Sequence, residues 1–171
     1  MRALVQRVTH AEVRIVDGTA GTFDWEPPRR MGQGLVVLLG VGEHDTEADA
    51  DKLWRKIAHM RIFADENGKT NLSLADVGGQ VMVVSQFTLY ANCKKGNRPS
   101  FKQAGAPDEA KRLYRYFTEL ARTDVPHVAA GEFGADMRIE LENDGPFTIW
   151  LDTDELSPAR AAFDCGAASR R

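Results

Sequence analysis

The sequence predicts an α+β domain, built mainly on antiparallel strands with two main helices. Period-two alternation of apolar and polar residues recurs along the chain, as where Ala11, Val13 and Ile15 interleave with Glu12 and Arg14. Two stretches, centred on Trp54 and Tyr114, carry instead the 3.6-residue spacing of an amphipathic helix. Strand-like segments joined by turn residues outnumber strand–helix alternations, which disfavours a doubly wound sheet.

Residues 2–8 read as a first strand, with Thr9-His10 as a tight connection to a second over 11–15 and Asp17-Gly18 as the next turn. Residues 17–34 form a long connection containing Gly18, Gly21, Trp25, Pro27, Pro28, Arg29, Arg30 and Gly32. A connection this long is either functional or a surface insertion. Leu35 to Val41 is an apolar run of central-strand length. Thr46 then predicts a helix N-cap, with Glu47 and Asp49 in the first turn, where the helix dipole favours negative charge. Ala50, Leu53, Trp54, Ile57 and Ala58 mark its buried face. Arg61-Ile62-Phe63 leaves that helix, and Asn67-Gly68 is a turn signal.

Residues 80–87 form another β-branched strand. Pro107 suits the first position of a second helix, followed by Asp108 and Glu109 and a stripe of Ala110, Leu113, Tyr114, Phe117, Leu120 and Ala121. Met137, Ile139 and Leu141 alternate with Arg138, Glu140 and Glu142; Phe147, Ile149 and Leu151 alternate again after Asn143-Asp144-Gly145-Pro146. The expected order is β-β-β-α-β-β-α-β-β, a single domain over 1–151 followed by a flexible 152–171 tail.

Composition limits the function. The chain has 171 residues, 43% hydrophobic and 27% charged, ordinary for a soluble globular protein. A net charge of −3 excludes a strongly cationic nucleic-acid coat while leaving room for local basic patches. No apolar run reaches membrane-helix length, and Arg2 and Arg7 interrupt the region a signal peptide would need, so a cytoplasmic protein without membrane partners is expected. Cys93 and Cys165 cannot build a disulfide framework.

Familiar catalytic patterns are absent. There is no G-x-S-x-G elbow and no H-E-x-x-H helix, and His10, His44, His59 and His127 are scattered. Gly40-Val41-Gly42 lies between a strand and a helix but lacks the third glycine of a dinucleotide fingerprint. The acidic residues Glu43, Asp45, Glu47 and Asp49 would also repel a pyrophosphate there, so this reads as a tight βα turn.

Three segments are more informative. In Ser85-Gln86-Phe87-Thr88-Leu89-Tyr90 a buried strand runs into hydroxyl-bearing residues; Ser85 or Thr88 could serve as a nucleophile, backbone N–H groups could form an oxyanion hole, or the segment could be an ordinary strand end. Lys94, Lys95, Arg98 and Lys102 place four cations in nine residues beside Phe101, which suits phosphate contact or a solvated loop. Gly145-Pro146 between two strands signals a β-turn, with a cis bond as the alternative.

Taken together and in order, Ser85-Gln86-Phe87-Thr88-Leu89, Gly96-x-Arg98-Pro99-Ser100-Phe101 and Asn143-Asp144-Gly145-Pro146-x-Thr148 resemble the D-aminoacyl-tRNA deacylase family. Gln6-Arg7-Val8, Leu38-Leu39-Gly40-Val41 and Arg61-Ile62-Phe63 fit the same family, over roughly residues 1–151. The resemblance implies a barrel-like sheet and hydrolysis of the ester joining a D-amino acid, or glycine mischarged on tRNA(Ala), to tRNA. It implies no metal and no organic cofactor. It also implies a homodimer whose active sites lie at the interface, with Ser85, Gln86, Phe87 and Thr88 from one subunit as the catalytic segment.

From the other subunit, a cis Gly145–Pro146 would face the substrate and exclude L-amino acids. Arg7 would hold that loop, Phe133 and Met137 would line the pocket, and Lys94, Lys95, Arg98 and Lys102 would meet tRNA, with no role for DNA. No histidine or lysine adjoins Thr88 in sequence as a base, so the tRNA 2′-OH would help to activate water. Two features depart from the family pattern, the long 17–34 connection and the tail. Rival readings are an editing deacylase of other chirality or tRNA preference, a non-catalytic RNA-binding module on the same fold, and a small-molecule esterase.

Overall fold

A computed structural model describes residues 1–16 and 27–156 of the chain. Most of the long connection, with Trp25, and the tail beyond Leu156 lie outside the described residues. The elements run β1 (Arg2–Val16), β2 (Arg29–Met31), β3 (Gly34–Gly40), α1 (Glu47–Ala58), β4 (Phe63–Ala64), β5 (Thr70–Leu72), β6 (Gln80–Ser85), a 3₁₀ turn (Phe87–Tyr90), α2 (Pro107–Asp124), β7 (Val128–Ala130) and β8 (Asp136–Asp152).

The main sheet has the order β2-β1-β3-β6-β7, with β8 on the other edge of β1. β1 pairs antiparallel with β2, β3 and β8, as expected, but the sheet is mixed, because β3–β6 and β6–β7 are parallel pairs. Parallel neighbours need a crossover. Here α1 lies in the connection from β3 to β6, and α2 in that from β6 to β7. The far edges draw together where the Arg29 guanidinium donates to the Ala130 carbonyl at 2.7 Å, so the sheet is nearly a closed barrel.

The strand period sorts side chains to two faces. Leu35, Val37, Leu39, Val81 and Val83 face the helices, where they meet Leu53, Ile57, Leu113 and Phe117, all fully buried. Val36, Met82 and Val84 point the other way and pack with Val8, Val13 and Met31 inside the barrel. Burying each such side chain contributes about 1.5–3 kcal/mol, which is why the apolar runs become central strands. Trp54 of α1 meets Phe117 of α2 edge to face, with centroids 5.8 Å apart. At the N-terminus of α1 the Asp49 carboxylate accepts from the Thr46 amide at 2.9 Å and the Thr46 hydroxyl at 2.8 Å.

Two expected hairpins are single long strands. Thr9-His10 is no connection: β1 runs 15 residues, and the region is a β-bulge where its register against β8 shifts. Likewise Asn143 to Pro146 form no turn between two strands. β8 runs 17 residues beside β1, and only its 144–147 stretch leaves the ladder, between the pairs Gln6↔Thr148 and Val8↔Asn143. Bulges and turns use the same residue types, so the sequence pattern does not separate them. The Asn67-Gly68 turn does join a hairpin, β4–β5, with Gly68 at φ +73°.

Candidate active site

β6 ends at Ser85, and Gln86 leaves the strand with its amide still donating to the Leu39 carbonyl at 2.7 Å. The chain then tightens into the 3₁₀ turn Phe87–Tyr90. The first residues of a helical turn have no intrahelical acceptor for their N–H groups. Among the described residues nothing accepts from the amides of Phe87 or Thr88, while Leu89 donates to Gln86 at 3.2 Å. The Gln86 side-chain amide donates to the Thr88 hydroxyl. An amide cannot take a proton, so the hydroxyl has no base beside it.

Close packing explains the glycines before α1. A Cβ on Gly42 would lie 2.6–2.9 Å from the Tyr90 ring, and one on Gly40 would lie 3.1 Å from the Gln86 carbonyl. These glycines let the 3₁₀ turn sit against the end of β3. The same turn is held from below: Arg2 donates to the Leu89 carbonyl at 3.1 Å and stacks over the Tyr90 ring at 4.3 Å.

Beside the turn lies a cavity of about 360 Å³. Ser85, Gln86, Phe87 and Phe133 line it, as do Tyr114 and Pro107 from α2. The lining is chiefly apolar, with Ser85 and Gln86 among its few polar residues, the usual form of a small-ligand site. None of the four histidines lines it. The Tyr114 hydroxyl reaches the carbonyls of Val83 (2.9 Å) and Gly131 (3.0 Å), and burial pushes its pKa up to about 12, so it stays a neutral donor. Tyr114 and Pro107 read in sequence as core and cap positions, and their periodicity carried no signal of a pocket.

The other sequence-predicted residues are distributed around this cavity. Thr88, next in sequence to Phe87, is exposed and is not among the lining residues. Met137 packs with the barrel interior, its sulfur against Gly131, and is not among the lining residues. Phe87, 59% exposed, meets Phe101 edge to face at 5.0 Å. Phe101 follows a loop closed by the Asn92↔Ser100 bridge. Lys94, Lys95, Arg98 and Lys102 stand exposed around that loop, so the basic stretch is tied to the rim through one aromatic contact.

Gly145 and Pro146 are exposed, and the bond between them is cis. Arg7 lies beneath their excursion and is only 8% exposed. Its Nε donates to the Asp144 carbonyl at 3.1 Å and its carboxylate at 2.8 Å, and the guanidinium stacks over Phe147 at 4.3 Å. Another Arg7 nitrogen donates to the Ile62 carbonyl. Asn143 closes the base of the loop by donating to the Arg7 carbonyl (2.9 Å) and the Phe147 carbonyl (3.2 Å). Within one chain this loop is far from the 3₁₀ turn. Pairing sets Arg7 level with Leu35 and Val81, whereas Ser85 is level with Leu39 and Ala3. The offset along the sheet is about 13 Å lengthwise and about 14 Å across three strand spacings.

Residues 4–152 match the family model described as D-Tyr-tRNA(Tyr) deacylase. A D-aminoacyl-tRNA deacylase of Lactobacillus helveticus is 53% identical over 152 residues, 89% of this chain and 99% of that protein. One from Pseudoalteromonas translucida is 53% identical over 151 residues, 88% and 99% of the two chains. Among solved structures, the c-Myc DNA unwinding element binding protein superposes with a TM-score of 0.79 at 37% identity, over 93% of this chain and all of that one. A probable eukaryotic D-amino acid tRNA deacylase shares the fold, with a TM-score of 0.73 at 19% identity over 88% of this chain and 97% of that one.

Proposed function

The chain belongs to the D-Tyr-tRNA(Tyr) deacylase family, hydrolases of the ester that joins a D-amino acid to tRNA, and from that premise we propose how its residues perform the reaction. The unpartnered amides of Phe87, which lines the apolar cavity, and of its neighbour Thr88 carry the proposal. The aminoacyl group enters the cavity with its carbonyl oxygen toward those two N–H groups. They stabilise the oxyanion as water adds to the carbonyl carbon. The ester C–O bond then breaks, the tRNA 3′ oxygen takes a proton, and the free amino acid leaves.

Water, rather than Thr88, is the nucleophile. The Thr88 hydroxyl is held by the Gln86 amide, and no imidazole or amine adjoins it to accept its proton. The 2′-OH of the terminal ribose helps to activate and place the water. An aminoacyl ester is already reactive, so placement beside a preorganised oxyanion hole supplies most of what is needed.

Selection by chirality is assigned to Gly145–Pro146 of a second copy of the chain. The loop projects from the sheet on a base fixed by Arg7 and Asn143, and it is too far from the 3₁₀ turn of its own chain to act there. Entering the partner's cavity, its carbonyl oxygens accept from the substrate α-ammonium and fill the space an L side chain would need. Glycine has no side chain to exclude, so glycyl-tRNA is also accepted. The protein therefore works as a homodimer with each site at the interface. Lys94, Lys95, Arg98 and Lys102 lie beside the rim to meet the tRNA backbone.

Hydrolysis of D-tyrosyl-tRNA and L-tyrosyl-tRNA, measured side by side with chelator present, tests this. Release from the D substrate with little from the L supports both the reaction and the exclusion. Equal turnover overturns the assignment of Gly145–Pro146, and no turnover of either substrate overturns the catalytic reading.

A further inference from the structure

A second hollow, of about 200 Å³, opens on the far side of the wall formed by Tyr114 and Phe133, the two residues it shares with the first cavity. Its lining includes Lys111, Arg115 and Arg122 from α2, and Arg29 from β2. The α2 cations fall at helical spacings of four and seven residues, so they form one stripe along the helix. The stripe is about 16 Å long, the length of a few nucleotides of single strand.

Neighbouring charges set this stripe apart from an ordinary solvated face. On the adjoining face of α2, Arg112 is bound by both Glu109 and Glu47. Lys111 and Arg115 have no carboxylate partner among the described residues. Arg122 is paired with Glu119, both well exposed, and the half-buried Arg29 with Glu132 at 3.5 Å. Exposed pairs of this kind contribute little, so a phosphate can replace or share the carboxylate.

We propose that the Lys111–Arg115–Arg122 stripe is the track for the phosphates of the single-stranded 3′ end of tRNA as it leads into the cavity. This rests on the deacylase reading above. The cavity would hold the aminoacyl ester, and the stripe beyond the Tyr114–Phe133 wall would hold the nucleotides upstream of it. These contacts are to phosphates alone, so they confer affinity without sequence preference.

Two readouts test the track. The first is direct binding of a fluorescent single-stranded oligoribonucleotide ending in CCA, which needs no hydrolysis. The double variant K111A/R115A is expected to bind at least tenfold more weakly, and to lower the slope of log affinity against log salt by about 1.4, the value for two lost single-strand phosphate contacts. The charge-conserving K111R/R115K should restore both. The second readout is KM for D-tyrosyl-tRNA, expected to rise by the same factor while kcat changes less. Unchanged binding and salt slope in K111A/R115A would overturn the track. So would an equal kcat/KM loss on the D-tyrosyl ester of adenosine, which has no phosphates. Loss of oligonucleotide affinity in K111A/R115A, beside a wild type that hydrolyses no D-tyrosyl-tRNA, would retain the track and overturn the deacylase reading.

Discussion

Arg7 joins three parts of the molecule through one guanidinium: the loop before Gly145, the ring of Phe147 and the carbonyl of Ile62. Its planar fork makes these contacts simultaneously, which a lysine cannot. Arg7→Ala is therefore expected to lower stability by about 1–3 kcal/mol in urea unfolding. It should also lower kcat/KM for D-tyrosyl-tRNA at least tenfold, because the loop loses its support. Arg7→Lys should recover part of the stability and little of the activity. Gly34 has a different reason for its identity. A Cβ there would lie 1.8 Å from the Gln80 carbonyl oxygen, on the neighbouring strand's backbone. Gly34→Ala should cost on the order of 2–4 kcal/mol, read as a lower urea midpoint, since backbone must move to accept it.

Among the elements, α1 offers a pH-dependent prediction. Burial alone would raise the Asp49 carboxyl, but the hydrogen bonds from Thr46 outweigh it and hold the group below its ordinary value. The folded pKa is thus lower than the unfolded one. The resulting stabilisation is fully present above about pH 4 and is lost as pH falls through the folded value. The stability difference between wild type and Asp49→Asn should follow that course, and the substitution should leave α1 otherwise intact. Thr46→Ala should cost about 1 kcal/mol at neutral pH.

The helices were also the most legible elements. The stripes at Ala50–Ala58 and Ala110–Ala121 gave α1 and α2 to within a few residues, because many side chains repeat the same period. Val128–Ala130 and Arg29–Met31 are strands of three residues, too short to show a period, and pairing partners decide their state. β1 and β8 were split in the sequence reading because Thr9-His10 and Asp144-Gly145-Pro146 carry turn chemistry. What keeps each strand continuous is its partner's length, a property of the ladder. The site divided in the same way. Ser85-Gln86-Phe87 was visible as a motif, whereas Tyr114 and Pro107 belong to the cavity through tertiary placement.

At the scale of the whole molecule, the separation of the Gly145–Pro146 loop from the 3₁₀ turn makes a prediction about assembly. If each site draws one segment from each of two copies, two differently disabled chains can complement each other. Arg7→Ala chains mixed equally with chains disabled at Gln86 should regain about a quarter of wild-type activity after subunit exchange. Half the dimers would be mixed, and each of those would have one intact site of two. No recovery would place both segments of a working site in the same chain.

β1 has a further consequence, in the timing of synthesis. It pairs with β3 on one edge and along nearly its whole length with β8 on the other. β1 thus waits for β8 across more than a hundred residues of intervening chain. Until β8 leaves the ribosome, one edge of β1 stays open, and the barrel interior lacks the cover of Met137 and Leu141. Helix α1 can pack early, but the sheet is completed only once β8 has been made. Refolding of the free chain should accordingly be slow for its size, in the millisecond-to-second range set by long-range pairing. Nascent chains arrested before residue 136 should remain protease-sensitive in β1.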